Sequence, residues 1–273
     1  MPELPEVETI VRRLRLNLID QQIQSIQVLN PKILRCSKKY FIQTLTGSII
    51  REIRRKGKLI LIDFEPEQTL VLHLKMTGQV FVEPESTPVD KHTQVIFHFD
   101  SMDFQMRYRD IRKFGFFDLI QTNPAHSIPY LNNLGPDPFE TTSDQFARIT
   151  LSRKKSIKSL LLDQSLISGL GNIYVDESLF QAKIHPLSKT GELSLARIKN
   201  LHRVIKKILS QAISKQGSTL RDYRRPDGII GGFQNYHQVY GRTGLPCPIC
   251  RSPIQKIRVA GRGTHYCLSC QKI

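Results

Sequence analysis

The sequence predicts an α+β protein with two unlike halves, an N-terminal antiparallel β-sandwich led by one helix and a helical C-terminal part. Three observations support this prediction. Between about residues 22 and 120, short apolar runs follow one another with no helical segment between them, which is typical of a sandwich or barrel. Beyond residue 134 the apolar residues recur with the period of a helix. Four of the five cysteines lie in the last 36 residues, which indicates a small separate module.

The first predicted element is a helix over residues 5–18. Pro5 suits the first helical position, and Glu6 and Glu8 suit the positive end of the helix dipole. Four apolar residues recur on one face of this helix: Val7, Ile10, Val11 and Leu14. We expect that face to cover the sandwich core.

Six strands are predicted to follow, because β-rich runs alternate with turn residues such as Met76-Thr77-Gly78. They cover residues 23–29, 59–64, 70–74, 80–82, 95–99 and 114–120.

A stretch rich in proline and glycine, residues 134–138, is predicted to be a linker. Helices are predicted beyond it at residues 143–151, 157–163, 172–182 and 194–215. Residues 219–233 are glycine-rich and without period, and a connection of that length is typical of a functional loop. We therefore expect three domains, over residues 1–133, 134–237 and 238–273.

The composition is that of an ordinary globular protein, with 40% hydrophobic and 23% charged residues. It excludes the disordered and fibrous classes. No apolar run reaches the roughly 18–20 residues of a membrane span, and no basic stretch followed by an apolar one begins the chain. We expect a cytoplasmic protein that has no membrane partner.

The charge indicates a polyanionic partner. Forty Lys and Arg against 24 Asp and Glu leave a net charge of +16, and neutralising phosphates releases their condensed counterions. Residues 228–273 contain six basic residues and no acidic one, and a second basic group surrounds Arg153. Two separate basic patches are typical of a surface that binds nucleic acid. A basic surface that serves only solubility is the alternative.

The four C-terminal cysteines form two pairs, Cys247-x2-Cys250 and Cys267-x2-Cys270, with sixteen residues between them. Two such pairs close a tetrahedral site that has no open position, so we predict one structural zinc ion. An iron–sulfur cluster and disulfides are the alternatives, and disulfides are disfavoured without export features. The remaining cysteine, Cys36, is predicted to be a small core residue.

The N-terminus carries a candidate nucleophile. A proline in second place normally permits removal of Met1, which leaves Pro2 with a free secondary amine. Such an amine titrates near pH 8, and its attack on a sugar carbon gives a cationic iminium. The alternative is that Pro2 and the acidic residues only start the first helix.

Several motifs resemble those of one family. They are residues 2–9 (PELPEVET), 169–174 (GLGNIY), 238–242 (QVYGR) and 266–271 (YCLSCQ). In this order they are similar to bacterial formamidopyrimidine-DNA glycosylases, the Fpg or MutM branch of the Fpg/Nei family. The resemblance implies a monomeric enzyme with a helix–two-turns–helix domain and a zinc finger, and duplex DNA lying between its domains. Residue 4 is leucine, where the related endonuclease VIII branch typically has glycine.

The resemblance also implies the reaction and its residues. The family excises 8-oxoguanine and formamidopyrimidines from duplex DNA and then cuts the strand at the abasic site by β,δ-elimination. Pro2 matches the nucleophile that forms a Schiff base, and Glu3 the proton donor that promotes ring opening. Lys58 matches the lysine of β-elimination, and Arg262 the finger arginine of δ-elimination.

The remaining matches concern DNA binding. Met76, Arg112 and Phe114 match residues that fill the void left by the extruded nucleotide. Phosphate contacts are expected from His92, Arg153, Lys158 and Asn172. A lesion-capping loop is expected around Ser218, Thr219, Arg221 and Tyr223. On the residues alone there are alternatives to these roles. Met76 and Phe114 could be core residues, and Lys58 could be a solvated residue at the end of a strand.

Two competing functions remain open on the sequence. One is an endonuclease VIII-like glycosylase for oxidised pyrimidines, against which Leu4 and the long loop argue. The other is a zinc-dependent DNA-binding protein without activity. A protein that only binds DNA has no need to keep Pro2, Glu3, Lys58 and Arg262 together.

Overall fold

The computed structural model describes residues 2–100, 102–122, 129–219 and 223–273. It consists of two compact units. The first comprises Met1–Asn132 and Lys215–Gly232, and the second comprises Asn133–Ser214 and Phe233–Ile273. The segment 215–232, which the sequence placed with the helical domain, therefore packs with the N-terminal unit.

The first unit is the predicted antiparallel sandwich with a leading helix. It holds α1 (Leu4–Leu18), α2 (Lys38–Leu45), a short α3 (Pro129–Asn132) and eight strands among the described residues. One sheet has the order β1 (Ile23–Val28), β6 (Thr93–Phe99), β7 (Phe104–Asp110), β5 (Gly78–Pro84). The other has the order β2 (Ile49–Lys56), β3 (Leu59–Glu65), β4 (Gln68–His73), β8 (Phe116–Gln121).

Apolar residues of both sheets and of α1 and α2 share one core. The predicted apolar face of α1 is fully buried in it. Phe41 of α2 contacts Phe97 and Phe117 edge-on, at centroid distances of 6.2 and 6.0 Å. Tyr108 lies 5.0 Å from Phe117 at 88°. Such edge-to-face pairs add about 0.5–1.5 kcal/mol each to area burial.

The second unit is helical and ends in a hairpin. Its helices are α4 (Ser143–Leu151), α5 (Ile157–Leu162), α6 (Asn172–Gln181) and α7 (Leu195–Ser214). The hairpin pairs β9 (Gln255–Val259) with β10 (Arg262–Tyr266). Phe180 and Val239 pack with Cys247, Ile254 and Cys267 in a small cluster beneath this hairpin.

Two strands, β2 and β7, were not predicted from the sequence, because charged residues interrupt the alternation of apolar and polar positions that identifies a strand. β2 carries five charged side chains, and only Ile50 and Ile53 of it are buried. β7 includes Arg107, which is buried because Glu83 neutralises it at 2.9 Å. No described helix combines the length and the apolar character that a membrane crossing requires.

Candidate functional site

The first residues of the chain are held at the start of α1. Pro2 is buried, and Glu3 is the N-cap residue with 4% of its surface exposed. The Glu3 backbone N–H donates to Oε2 of Glu6 at 2.8 Å, and the two residues form a capping box. Such a box satisfies backbone donors that a helix start leaves unpaired. The backbone beside Pro2 is thus fixed by a carboxylate four residues away.

The other oxygen of Glu6 binds the segment 215–232. Its Oε1 accepts the Ser218 backbone N–H at 2.7 Å. Gly217 lies against the same carboxylate with φ +77°, and a Cβ there would stand 2.8 Å from Glu6 Oε1. Glu6 therefore joins the start of α1 to the start of the predicted capping loop, a connection that the sequence did not predict.

Lys58 lies in the turn between β2 and β3, and 8% of its surface is exposed. Arg55 ties this turn to α1, because its side chain donates to Gly57 O at 3.1 Å and to Glu8 Oε2 at 3.0 Å. Burial alone would raise the pKa of Glu8, but bonds from Arg12 and Arg55 bring that pKa below its ordinary value. The turn that carries Lys58 is therefore held by ionic contacts to the first helix.

His73 is a candidate residue that the sequence reasoning missed. It lies opposite Leu59 in the β3–β4 pair and is 5% exposed. Burial, with the charges of Lys75, Lys58 and Arg35, lowers the pKa of His73 to about 3, so the ring is neutral at pH 7. Its Nδ1 accepts the Lys75 N–H at 2.9 Å, which leaves the proton on Nε2 as a donor. The signal was its place at the head of the HLKMTG motif.

Two loops carry the three predicted void-filling residues. Met76 lies in the β4–β5 loop (residues 74–77), and Arg112 and Phe114 lie in the β7–β8 loop (residues 111–115). Met76 is 43% and Phe114 54% exposed, so neither is a core residue. Arg112 Nη1 lies 3.0 Å from Met76 Sδ, and its guanidinium carbon lies 4.6 Å from the centre of the Phe114 ring. The structure therefore brings these three side chains together.

His92 and Arg153 are accessible. His92 is half-buried in a turn that Asp90 fixes by accepting its N–H at 2.6 Å, and its carbonyl accepts the Asp110 N–H at 3.0 Å. Arg153, in the second unit, is exposed just after α4. Both positions are compatible with the predicted phosphate contacts.

In the second unit, Asn172 and the finger hairpin are joined. Asn172 is the first residue of α6, and its side-chain amide donates to Gly263 O at 2.8 Å. Arg262 is exposed and begins β10 directly after a tight turn in which Ala260 and Gly261 have φ of +51° and +72°. The Asn172 side chain therefore binds the backbone of the residue that follows Arg262 in the chain.

Lys158 requires a correction. Its side chain is fully buried, and Nζ lies 2.5 Å from Asp176 Oδ1, whose carboxylate is also fully buried. The other oxygen of Asp176 accepts the His265 backbone N–H at 2.8 Å. A lysine enclosed in this way does not reach a phosphate, so Lys158 links α5, α6 and β10 instead. A sequence pattern cannot separate a buried paired lysine from an exposed one.

The expected capping residues differ in their surroundings. Arg221 lies outside the described residues. Ser218 is 4% exposed, and Thr219 Oγ1 accepts the Gly231 N–H at 2.9 Å. Tyr223 is a correction, because its ring belongs to the sandwich core and its hydroxyl donates to Gln216 O at 3.3 Å. Burial, with the nearby Glu6 carboxylate, raises the pKa of Tyr223. It anchors the loop and is not presented to a ligand.

The four predicted metal ligands converge. The sulfur atoms of Cys247, Cys250, Cys267 and Cys270 all lie within 4.8 Å of one another. Tetrahedral zinc with Zn–S bonds of about 2.3 Å places its sulfur ligands about 3.8 Å apart. The separations of 3.9 Å for Cys247–Cys270 and 3.4 Å for Cys250–Cys267 fit that ion. Four thiolates leave no position for a substrate, so the site suits a structural Zn²⁺.

Comparison with known proteins gives three matching family models along the chain. They are described as the formamidopyrimidine-DNA glycosylase N-terminal domain (residues 1–117), the formamidopyrimidine-DNA glycosylase H2TH domain (residues 134–224) and a zinc finger found in FPG and IleRS (residues 244–273).

Similar proteins match over the whole chain. The formamidopyrimidine-DNA glycosylase of Streptococcus pyogenes serotype M6 is 44% identical over 274 residues, which cover 100% of this chain and 99% of that protein. A solved Lactococcus lactis Fpg variant in complex with Fapy-dG DNA has a TM-score of 0.92 at 40% identity, with full coverage of both chains. Wild-type L. lactis Fpg (MutM) with DNA containing an oxidised pyrimidine gives 0.91 at 40% identity, again with full coverage. The chain belongs to the formamidopyrimidine-DNA glycosylase family.

Proposed function

We propose that this protein is a DNA repair glycosylase and abasic-site lyase that excises oxidised purines from duplex DNA. The observation that carries the proposal is the N-terminal Pro2-Glu3 pair, buried at the start of α1 in a chain that matches the family along its full length. The partner is duplex DNA that contains 8-oxoguanine, a formamidopyrimidine or an abasic site. A cytoplasmic location and a monomeric state remain predictions.

Pro2 is the nucleophile once Met1 has been removed. Its nitrogen attacks C1′ of the damaged nucleotide, the C1′–N bond to the base breaks, and the base leaves with a proton. Glu3 donates a proton to the ring oxygen O4′, so the sugar opens and C1′ becomes an iminium on the proline nitrogen. Covalent catalysis of this kind splits one difficult step into two easier ones.

The iminium acidifies the protons on C2′, and loss of one of them expels the 3′ phosphate. A second elimination expels the 5′ phosphate, and hydrolysis of the imine releases Pro2. Lys58 serves the first elimination and Arg262 the second, by moving protons and stabilising the charge on the leaving phosphates. The neutral His73, with its proton on Nε2, adds a hydrogen-bond donor to the phosphate beside Lys58.

Access to C1′ requires the nucleotide to leave the stack, which costs a few kcal/mol. Met76, Arg112 and Phe114 fill the space that it leaves, which is supported by their exposure and their mutual contacts. Zn²⁺ bound by the four cysteines supplies no chemistry. It stabilises the hairpin that carries Arg262, because metal binding free energy in such small modules is folding free energy.

Oxidised pyrimidines are a second substrate class. The structural relative from L. lactis has been solved with DNA that contains an oxidised pyrimidine, so we include slower release of such bases. A DNA-binding protein without activity remains the competing hypothesis, and it has no use for an N-terminal proline.

Replacement of Pro2 tests the proposal. We expect Pro2→Gly to slow single-turnover release of 8-oxoguanine on the order of 100-fold or more, because the secondary amine is lost. DNA binding should persist, since none of the phosphate-binding residues is changed. Pro5→Ala, which alters the other proline of the same helix start, is the matched control. Release of 8-oxoguanine by Pro2→Gly at the wild-type rate would refute the assignment.

A further inference from the structure

We propose that Asp110 is a positioning residue that joins the β4–β5 and β7–β8 loops into one unit. Through them it controls the discrimination of the base opposite the lesion. The inference deepens the proposed function and rests on it, because it takes Met76, Arg112 and Phe114 as the residues that enter the void. Asp110 itself contacts no DNA, since its surface is 0% exposed.

The carboxylate of Asp110 accepts hydrogen bonds from both loops. Its Oδ1 accepts the Thr77 hydroxyl at 2.5 Å and the Arg112 backbone N–H at 3.1 Å. Its Oδ2 accepts the Gly115 N–H at 2.8 Å and the Tyr108 hydroxyl at 3.2 Å. The Thr77 hydroxyl oxygen also accepts the Arg112 N–H at 3.1 Å. One carboxylate thus fixes the end of the first loop and both ends of the second.

Tyr108 packs closely against the residues at which the β4–β5 and β7–β8 loops join their strands. Its hydroxyl would stand 2.6 Å from a Cβ at Gly78 and 1.7 Å from a Cβ at Gly115. These two glycines border the β4–β5 loop and the β7–β8 loop, and both are buried. Tyr108 is 1% exposed, so its ring and the Asp110 carboxylate are buried together under both loops.

The tips of the two loops differ from the buried ends of the loops. The side chains at the tips are exposed, and they contact each other through Arg112 and Met76. A shared buried anchor makes a displacement of one tip move the other. The resemblance to the family implies that Arg112 is the void-filling residue that faces the cytosine left without its partner. Its position, and therefore the preference for cytosine over adenine at that place, depends on the anchor.

Two variants of Thr77 and one of Asp110 test the inference. Thr77→Val keeps the shape and removes the bridging hydroxyl, and Thr77→Ser keeps the hydroxyl. Asp110→Asn turns one acceptor into a donor, which then faces the backbone N–H of either Arg112 or Gly115. The measured quantity is the ratio of single-turnover excision rates of 8-oxoguanine opposite cytosine and opposite adenine. We expect Thr77→Val and Asp110→Asn to lower this ratio about 3- to 10-fold, and Thr77→Ser to keep it.

Asp63→Asn is the control, because Asp63 is also a buried carboxylate, at 8% exposure, and accepts the Thr69 hydroxyl at 2.5 Å in the other sheet. It should lower stability and leave the ratio unchanged. A double-mutant cycle of Met76→Ala and Arg112→Ala should show coupling in the wild-type background and additivity in the Asp110→Asn background.

An unchanged ratio in folded Thr77→Val and Asp110→Asn proteins, or coupling that persists without the carboxylate, would overturn the positioning role. If Asp110→Asn does not fold, Thr77→Val decides. A wild-type protein that releases no 8-oxoguanine would instead overturn the proposed function, so the two failures are distinguishable.

Discussion

At the scale of single residues, burial sets the charge of the side chains around the candidate site. His73 is held neutral among Lys58, Lys75 and Arg35, with its pKa lowered to about 3. In the proposed function, this uncharged ring donates a hydrogen bond to a phosphate, and the neighbouring cations meet the phosphate charge. Lys158 is buried in a different way, because its charge is matched by the Asp176 carboxylate and does not reach solvent.

The low pKa of His73 predicts a pH dependence of stability. The unfolded chain protonates this imidazole below about pH 6.5, whereas the folded protein does so only near pH 3. Because the unfolded state binds more protons between these values, the free energy of unfolding falls as the pH drops through this window. We expect His73→Asn, which keeps an acceptor for the Lys75 N–H, to flatten the decline in urea titrations from pH 6.5 to 4.

His237 provides an independent check of the same effect in the second unit. Burial lowers its pKa to about 4, so His237→Gln should also reduce the dependence on pH. A decline as steep in both variants as in the wild type would contradict the assigned cause.

The chemistry-bearing residues were predictable where the sequence motif itself defines them. The four cysteines converge as their spacing predicted, and Met76, Arg112 and Phe114 lie on two loops with their side chains exposed, while their DNA contacts stay predictions. Lys158 was expected to contact a phosphate and Tyr223 to cap the lesion, but the structure buries both side chains against partners distant in the chain, Asp176 and the sandwich core. Glu6 and His73 were missed since each acts through a fold contact that no local pattern reports.

At the scale of elements, the segment 215–232 is attached to the sandwich at several points. Glu6 accepts the Ser218 N–H, Tyr223 enters the core, and the Val82 N–H donates to Pro226 O at 2.9 Å. Gly231 packs closely against Gly217 at the start of the segment, so that a Cβ at Gly231 would stand 2.3 Å from Gly217 O. The sequence revealed the loop by its glycines but could not reveal its attachment, which depends on contacts across some 200 residues.

Gly217 offers a test of that attachment. Its φ of +77° and the proximity of the Glu6 carboxylate both oppose a side chain, so Gly217→Ala should lower the free energy of unfolding by about 2–5 kcal/mol, the sum of backbone strain and of crowding against the carboxylate. Gly47→Ala is the control, since Gly47 has φ +81° with nothing within 4 Å and should cost only the backbone strain, about 1–2 kcal/mol. Equal losses in urea unfolding would show that the contact with Glu6 contributes nothing.

The finger hairpin depends on its metal. Cys247 and Cys267 are fully buried in a cluster of few apolar residues, too small a core to fold without added stabilisation. We expect Cys247→Ser to abolish zinc binding in metal analysis, to open the hairpin to tryptic cleavage after Lys256, and to weaken DNA binding. Cys36→Ser should keep its zinc. A metal-free finger that still resists trypsin would contradict this account.

At the scale of the whole molecule, the net charge of +16 predicts binding that weakens steeply with salt. Removal of one exposed phosphate contact, as in Arg262→Ala or Arg153→Ala, should lower the slope of log affinity against log salt by about 1. Lys158→Met should leave the slope unchanged and reduce stability by about 3–5 kcal/mol, because it strands the Asp176 carboxylate. Fluorescence anisotropy at several salt concentrations measures the slopes, and a lowered slope for Lys158→Met would restore it as a phosphate contact.

The two-part architecture followed from the change of apolar period near residue 134, and the sandwich prediction is confirmed with two more strands than expected. Those strands, β2 and β7, escaped because charged residues on a sheet face break the alternation that identifies strands. Their burial requires ion pairs such as Arg107 with Glu83, which exist only once the sheet has formed.

The proposed mechanism requires a covalent bond between the N-terminal proline and the damaged nucleotide. Intact-mass analysis of the protein after incubation with an 8-oxoguanine duplex and borohydride measures this directly. We expect a chain that lacks Met1 and carries the reduced DNA adduct on Pro2, and an adduct that forms on the order of 100-fold more slowly when Pro2 is replaced by glycine, because the secondary amine is lost. A protein that releases the base yet yields no adduct, or an adduct located on another residue, would contradict it.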